Sequence, residues 1–158
     1  MALVVYNRIL VPLENSPTDA VILAHVCRLA NMAGSRLLLI HVADGFAARN
    51  LEQLKLRESE EMKKDRAYLD ATSAKLAAEG FDVEAILASG DPAAEISTTA
   101  DREQCDLIAM GTHGHRFVAD LIYGSVANEV RHRSLVPVLM VREGGDPAGP
   151  PAGPPAGA

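Results

Sequence analysis

The chain has 158 residues, enough for one domain that buries its own core without a disulfide or a structural metal. Its formal net charge is −6 at pH 7, and its Lys and Arg form no long basic face, which argues against binding to nucleic acid or to an anionic membrane. Neither a signal peptide nor an apolar run near the roughly 18 residues that span a bilayer is visible, so we expect a cytoplasmic protein.

The first predicted strand covers 8–13 (RILVPL), because branched aliphatic residues on both faces are typical of a parallel strand that is covered on both sides. A helix should follow, with the Ser16 hydroxyl as its N-cap and Asp19 in its first turn. Gly34 is expected to end that helix, and 35–44 (SRLLLIHVAD) predicts the second strand.

Charges of mixed sign mark 51–79, which predicts a long helix with a solvated outer face rather than a binding patch. Residues 81–89 predict the third strand, and 92–103 predict a short helix that starts at a proline. Residues 105–110 and 136–142 predict the fourth and fifth strands, with a last helix between them. This alternation is typical of a three-layer, Rossmann-like α/β domain with a mostly parallel sheet.

The composition changes after residue 143. Segment 144–158 contains DPAG once and PPAG twice, and none of its apolar side chains is larger than alanine. Such a segment cannot bury enough surface to offset the entropy lost on ordering. We therefore expect one domain, 1–143, followed by a disordered tail.

Three glycines follow the fourth predicted strand at Gly111, Gly114 and Gly124, and Ser125 comes directly after the last of them. Backbone N–H groups can approach a phosphate closely where no side chain intervenes, and a helix N-terminus favours an anion. The spacing Gly-x2-Gly-x9-Gly-Ser therefore predicts a phosphate-binding loop that leads into a helix over about 124–133. The alternative is that the glycines only permit tight turns.

In this context the sequence resembles a known family. ILVPLENS, GTHGHRFVADLIYGSVANEVRH and the closing VPVLMVR resemble the nucleotide-binding branch of the universal stress protein family over about residues 6–142. The resemblance implies a five-stranded parallel sheet of order 3-2-1-4-5, a homodimer, and ATP bound between strands one and four. We expect any Mg²⁺ to arrive with the ATP, because Mg²⁺ usually relies on substrate phosphates.

The resemblance also implies which residues contact the nucleotide. Pro12 and Glu14 would lie against the adenosine, and Val42 would contact the adenine. Met110 and Gly111 would flank the ribose and the phosphates. The residues expected to hold the phosphates are Gly114, Gly124, Ser125 and Val126.

Two positions depart from the family pattern. The family has Asp where this chain has Glu14, and usually Gly where it has Asn15. Glutamate can still accept a hydrogen bond from a ribose hydroxyl, although its extra methylene must be accommodated. Asparagine tolerates the left-handed backbone conformation that a glycine would adopt. Ribose recognition through Glu14 is therefore expected, and a module of the same fold that binds no nucleotide is the alternative.

Catalysis is not expected beyond slow ATP hydrolysis. The motif has Gly-Ser rather than the Gly-Lys-Ser of a P-loop, and no lysine follows Lys75. Arg116 is the nearest flexible cation, and Asp120 the nearest carboxylate. His113 and His115 lack the further ligands of a zinc site, so we interpret them as loop histidines and expect no metal held by the protein alone.

The fifth strand suggests a partner. It contains no charge from Val136 to Val141, and Pro137 near its start is tolerated at a sheet edge. An uncharged edge strand invites pairing unless something covers it, so we expect a homodimer across this edge. The alternative is that the helices or the tail of the same chain cover it. A regulatory protein that senses the nucleotide state is the other partner we expect.

Overall fold

A computed structural model describes residues 5–44, 53–112 and 120–142. The strands are β1 (Arg8–Pro12), β2 (Arg36–Asp44), β3 (Val83–Gly90), β4 (Leu107–Thr112) and β5 (Val138–Arg142). The helices are α1 (Thr18–Ala33), α2 (Gln53–Ala78), α3 (Pro92–Arg102) and α4 (Asp120–Arg133). The strands form one parallel sheet in the order β3-β2-β1-β4-β5, which confirms the predicted fold class and strand order.

Both faces of the sheet are buried, because side chains alternate between two layers of helices. Ile9 and Val11 of β1 pack with Ile22 and Val26 of α1, in a cluster that also includes Leu69 of α2. The neighbouring positions of the sheet point the other way, toward α3 and α4, in a second cluster: Leu10, Leu38, Ile40, Ile96, Ala100, Ala127 and Val130. The domain is therefore a helix–sheet–helix sandwich, as the alternating pattern predicts.

The first strand has unequal neighbours. Its ladder with β2 runs along the whole of β1 and ends with Pro12 beside Ile40. Its ladder with β4 pairs only Ile9 with Leu107 and Leu10 with Ile108. The described parts of β1 and β4 thus separate toward their carboxyl ends, at the point where strand order reverses. A crevice opens there, which is where ligands bind in open parallel sheets.

The start of α1 differs from the prediction. Pro17 occupies the N-cap position and no side chain caps the helix there, while the Ser16 hydroxyl contacts Glu14 Oε2 at 3.3 Å. The prediction of Ser16 as the capping hydroxyl is wrong, because Asp19 organises the turn instead through its carboxylate. Gly34 ends the helix in the left-handed conformation (φ 70°), as predicted.

The start of α4 also differs. The helix begins at Asp120 rather than near Gly124, so Gly124 and Ser125 lie in its second turn. No glycine or proline occurs from 120 to 123, and the helix can therefore extend toward the N-terminus at little conformational cost. The expectation that GSV opens a helix is thus corrected. The predicted tail at 144–158 lies outside the described residues.

None of the described helices has the length and apolar character needed to cross a membrane.

Candidate functional site

A cleft of about 350 Å³ lies at the carboxyl ends of β1, β2 and β4. Pro12 comes from β1, Met110 from β4 and Val42 from β2. The starts of α1 and α3 and the second turn of α4 close its sides. Cavities of this size, placed at the reversal of strand order, are typical of small-molecule sites in α/β domains.

Most of the predicted site residues meet in this cleft. Those that line it are Pro12, Glu14, Val42, Met110, Gly111, Ser125 and Val126. Gly114 lies outside the described residues, together with His113, His115 and Arg116. Gly124 has its backbone in α4.

Gly111 packs closely against helix α1. A Cβ atom at this position would lie 3.2 Å from Thr18 Cγ2 and 3.6 Å from Ile22 Cβ. A side chain here would require Thr18 to shift by a few tenths of an ångström in a buried contact. This packing is a structural reason for the first glycine of the motif, beside any contact with a ligand.

The turn between β1 and α1 is organised by the buried carboxylate of Asp19, which is 3% exposed. Its oxygens accept hydrogen bonds from the backbone N–H groups of Glu14 and Asn15, each at 2.9 Å, and of Ser16 at 3.3 Å. The Tyr68 hydroxyl of α2 donates to the same carboxylate. Burial, followed by this hydrogen bond, raises the pKa of Tyr68, so the phenol remains a donor.

Asn15 adopts the left-handed conformation, with φ 60°. Asparagine is expected to tolerate this conformation, and Asn15 does so here. The Asn15 side chain also donates to Asp65 Oδ1 of α2 at 3.2 Å. Helix α2 therefore contacts the turn through a second residue.

His41 forms part of the cleft wall beside Val42. Its Nδ1 lies 2.8 Å from the carbonyl oxygen of Leu13, and its Nε2 lies 3.2 Å from Asp65 Oδ2. A carbonyl oxygen can only accept, so Nδ1 carries a proton in this arrangement. The two contacts fix the plane of the imidazole at the carboxyl end of β2.

The charges that line the described part of the cleft are mostly negative. Its carboxylates are Glu14, Asp19, Asp91 and Glu129, and none of its described lining residues is Lys or Arg. Asp91 caps α3 by accepting the N–H of Ala94 at 2.9 Å, and Glu129 pairs with Arg133. Within the described ranges, no group of three or more His, Cys, Asp or Glu is arranged to hold a metal ion. The described lining residues therefore offer a phosphate chain no Lys or Arg side chain.

Sequence reasoning did not assign Asp19, His41, Asp91 or Glu129 to the site. Asp19 was visible only as an acidic residue in a first helical turn, and Asp91 as the residue before a helix-starting proline. His41 directly precedes Val42 in a predicted strand, which was a usable signal. The position of Asp91 depends on which strands are neighbours, and local pattern does not reveal that.

Neither cysteine is an activated nucleophile. Cys105 is buried, and desolvation raises its pKa to about 11. Cys27 is partly buried, and burial is also the main reason that its pKa is raised. Both therefore remain thiols at neutral pH.

The chain is similar to known proteins over nearly all of its described length. The sequence profile described as "Universal stress protein family" matches residues 5–142. Universal stress protein MJ0577 of Methanocaldococcus jannaschii is 30% identical over 159 residues, which span 88% of this chain and 96% of the relative. A solved structure of MJ0577 superposes with a TM-score of 0.79 at 28% identity, covering 89% of this chain and 99% of that one.

Two more distant solved structures contain nucleotides. A universal stress protein in complex with cAMP matches with a TM-score of 0.65 at 22% identity, covering 87% of this chain and 97% of that chain. The universal stress protein from Archaeoglobus fulgidus in complex with dAMP matches with a TM-score of 0.59 at 18% identity, covering 87% of this chain and 98% of that chain. At these identities the similarity shows a shared fold.

Proposed function

Because the chain belongs to the universal stress protein family, we propose that it binds ATP in the cleft at the carboxyl ends of β1 and β4 and acts as a nucleotide-dependent regulator of a stress response. One observation carries the proposal. Residues assigned to the adenosine and to the phosphates from separate parts of the sequence line a single cleft. The cAMP and dAMP complexes of two proteins with this fold support an adenine nucleotide as the ligand class.

Each wall of the cleft is proposed to hold one part of the nucleotide. Val42 and Pro12 offer apolar surface for the adenosine, which suits an aromatic base. Glu14 accepts a hydrogen bond from a ribose hydroxyl, and the Ser125 hydroxyl donates to a phosphate oxygen. Gly114 and Gly124 contribute backbone N–H groups to the phosphates. Mg²⁺ enters with the nucleotide and offsets the negative charge of the cleft.

Binding rather than catalysis is the proposed role. Phosphoryl transfer needs neutralised charge and an oriented nucleophile. The described lining residues offer no Lys or Arg for the first, and the motif lacks a P-loop lysine. Hydrolysis, if measured as phosphate release with Mg²⁺, is expected to be slow.

The ribose contact gives a sharp test of the proposal. Wild-type protein should prefer ATP to 2′-deoxy-ATP by about tenfold, because the partly buried Glu14 carboxylate loses a hydrogen-bond donor when the hydroxyl is absent. Glu14→Gln should reduce that preference while it leaves the fold intact. Glu129→Gln is the control, since Glu129 lines the same cleft but is not assigned to the ribose. Equal affinity of the wild type for the two nucleotides would contradict the ribose assignment.

A second candidate function is a module of the same fold that binds a protein partner and no nucleotide. The negative lining of the cleft and the position of Gly124 inside α4 favour it. The two candidates differ in one result, since only the first predicts that ATP stabilises the folded protein. At ATP concentrations about 100 times the Kd, that stabilisation should approach about 2.7 kcal/mol.

A further inference from the structure

The shape of the β1–α1 turn depends on a single carboxylate. Asp19 receives the N–H groups of three consecutive residues, Glu14, Asn15 and Ser16, although it follows them in the chain. A carboxylate that is 3% exposed is stable in the folded protein only when its oxygens are saturated with donors. The turn therefore has one favourable geometry as long as the Asp19 carboxylate stays in place.

Helix α2 completes this arrangement from outside the cleft. The Tyr68 hydroxyl donates to Asp19 Oδ2, the same oxygen that accepts from Asn15 and Ser16. Tyr68 does not line the cleft, and its hydroxyl is connected to the cleft lining through Asp19. Asp65, one turn earlier on α2, accepts from the Asn15 side chain and contacts His41. Two neighbouring positions of α2 thus hold the turn that carries Glu14.

The β1–α1 turn depends on these hydrogen bonds from Asp19 and α2 for its shape. Asn15 is held at φ 60°, in a conformation that costs a non-glycine residue free energy. Glu14 and Asp19 both line the cleft, so a shift in the turn would move a proposed ligand contact. Binding contacts need positions fixed to within a fraction of an ångström by supporting hydrogen bonds.

We propose, on the basis of the proposed function, that Asp19 and Tyr68 are positioning residues that hold Glu14 in its binding geometry and couple helix α2 to occupancy of the cleft. A bound nucleotide stabilises the β1–α1 turn, and the stabilised turn strengthens the contacts of α2 with it. This coupling is reciprocal: a change at Tyr68 that loosens those contacts weakens nucleotide binding by the factor by which binding would have strengthened them. The outer surface of α2 can then differ in dynamics between the empty and the occupied protein.

Tyr68→Phe is the mildest test, because it removes one hydroxyl and leaves the ring in place. Asp70→Asn is the matched control, since Asp70 lies at an exposed position of α2 two residues beyond Tyr68. Calorimetric titration with Mg-ATP should show affinity about tenfold weaker for Tyr68→Phe. Asp70→Asn should stay within about twofold of wild type. Circular dichroism confirms that both variants are folded.

A double-mutant cycle distinguishes positioning of Glu14 by Tyr68 from a general effect of Tyr68 on the stability of the fold. If Tyr68 acts through the turn, Tyr68→Phe should cost much less affinity in a Glu14→Gln background than in wild type. Hydrogen exchange adds a second readout, because Mg-ATP should slow exchange of α2 amides near Tyr68 in wild type and not in Tyr68→Phe. Wild-type affinity in Tyr68→Phe, or additive effects in the cycle, would overturn the inference alone. Failure of the wild type itself to bind adenine nucleotides would overturn the proposed function and this coupling together.

Discussion

Gly111 belongs to a predicted binding motif, but packing in the fold also explains why a glycine occupies this position. The sequence places it first among three glycines that would approach phosphates. In the fold it lies where β4 meets α1, and a methyl group would come within 3.2 Å of Thr18 Cγ2. The close packing around Gly111 is therefore already present in the nucleotide-free protein. The same reasoning does not extend to Gly114, which lies outside the described residues.

Gly111→Ala should accordingly lower the free energy of unfolding of the nucleotide-free protein by about 1–3 kcal/mol, because overpacking forces α1 and β4 apart. Urea denaturation followed by far-UV circular dichroism measures the change. In a Thr18→Ser background, which removes the Cγ2 methyl, the cost should be smaller. Equal stability of Gly111→Ala and the wild type would contradict this account of the packing.

The position at which helix α4 begins determines how the glycine motif meets the cleft. Its described start at Asp120 places Gly124 and Ser125 in the second turn, where backbone N–H groups are normally used within the helix. Ser125 and Val126 still line the cleft from this position. The free N–H groups of the helix lie near 120–123 instead, so the phosphate contacts proposed for Gly124 need this turn to open.

Gly124→Ala therefore has two separable effects. Alanine in a helix interior should raise the free energy of unfolding by about 0.5–1 kcal/mol. If Gly124 approaches a phosphate, the added methyl should also weaken Mg-ATP binding by about tenfold or more, as measured by titration calorimetry. Asn128→Ala, at an exposed position one turn later, serves as a control that should leave affinity unchanged. A more stable Gly124→Ala protein with wild-type affinity would refute the phosphate role of Gly124.

Alternation of apolar runs and helical segments was enough to predict every described strand and helix, because burial of a parallel sheet on both faces leaves a strong local pattern. The strand order came from the family resemblance, and so did the assignment of Pro12, Glu14, Val42, Met110 and Val126 to the cleft. The three glycines and Ser125 were predicted from their spacing. Asp19 could not be predicted to hold the turn, since its role depends on three N–H groups that converge only in the folded turn. The position of Asp91 in the cleft likewise follows from topology rather than from its neighbours in sequence.

The whole molecule has a sheet edge at β5, which pairs with β4 on one side. Met140 on this strand is 45% exposed, and Leu135 just before it is fully exposed. Apolar side chains beside a sheet edge that no other described strand covers are a liability that a second copy would remove. We therefore propose a homodimer in which the 136–141 edges of two copies meet across a two-fold axis.

Met140→Lys should convert this dimer to a monomer, because a charge at the edge opposes pairing. Sedimentation velocity over a range of concentrations measures the change. Met32→Lys is the matched control, since Met32 is an 87% exposed methionine on α1 rather than on β5, and should leave the dimer intact. A wild-type protein that sediments as a monomer at every concentration would contradict the proposed dimer.

Titration of nucleotide-stripped protein with Mg-ATP in a calorimeter tests the central claim most directly, with Mg-GTP and ATP in EDTA as comparisons. We expect saturable binding of about one ATP per chain and much weaker binding of GTP. ATP should also bind more weakly without Mg²⁺, because the described lining of the cleft has carboxylates and no Lys or Arg. No heat of binding, and no thermal stabilisation by millimolar Mg-ATP, would contradict it.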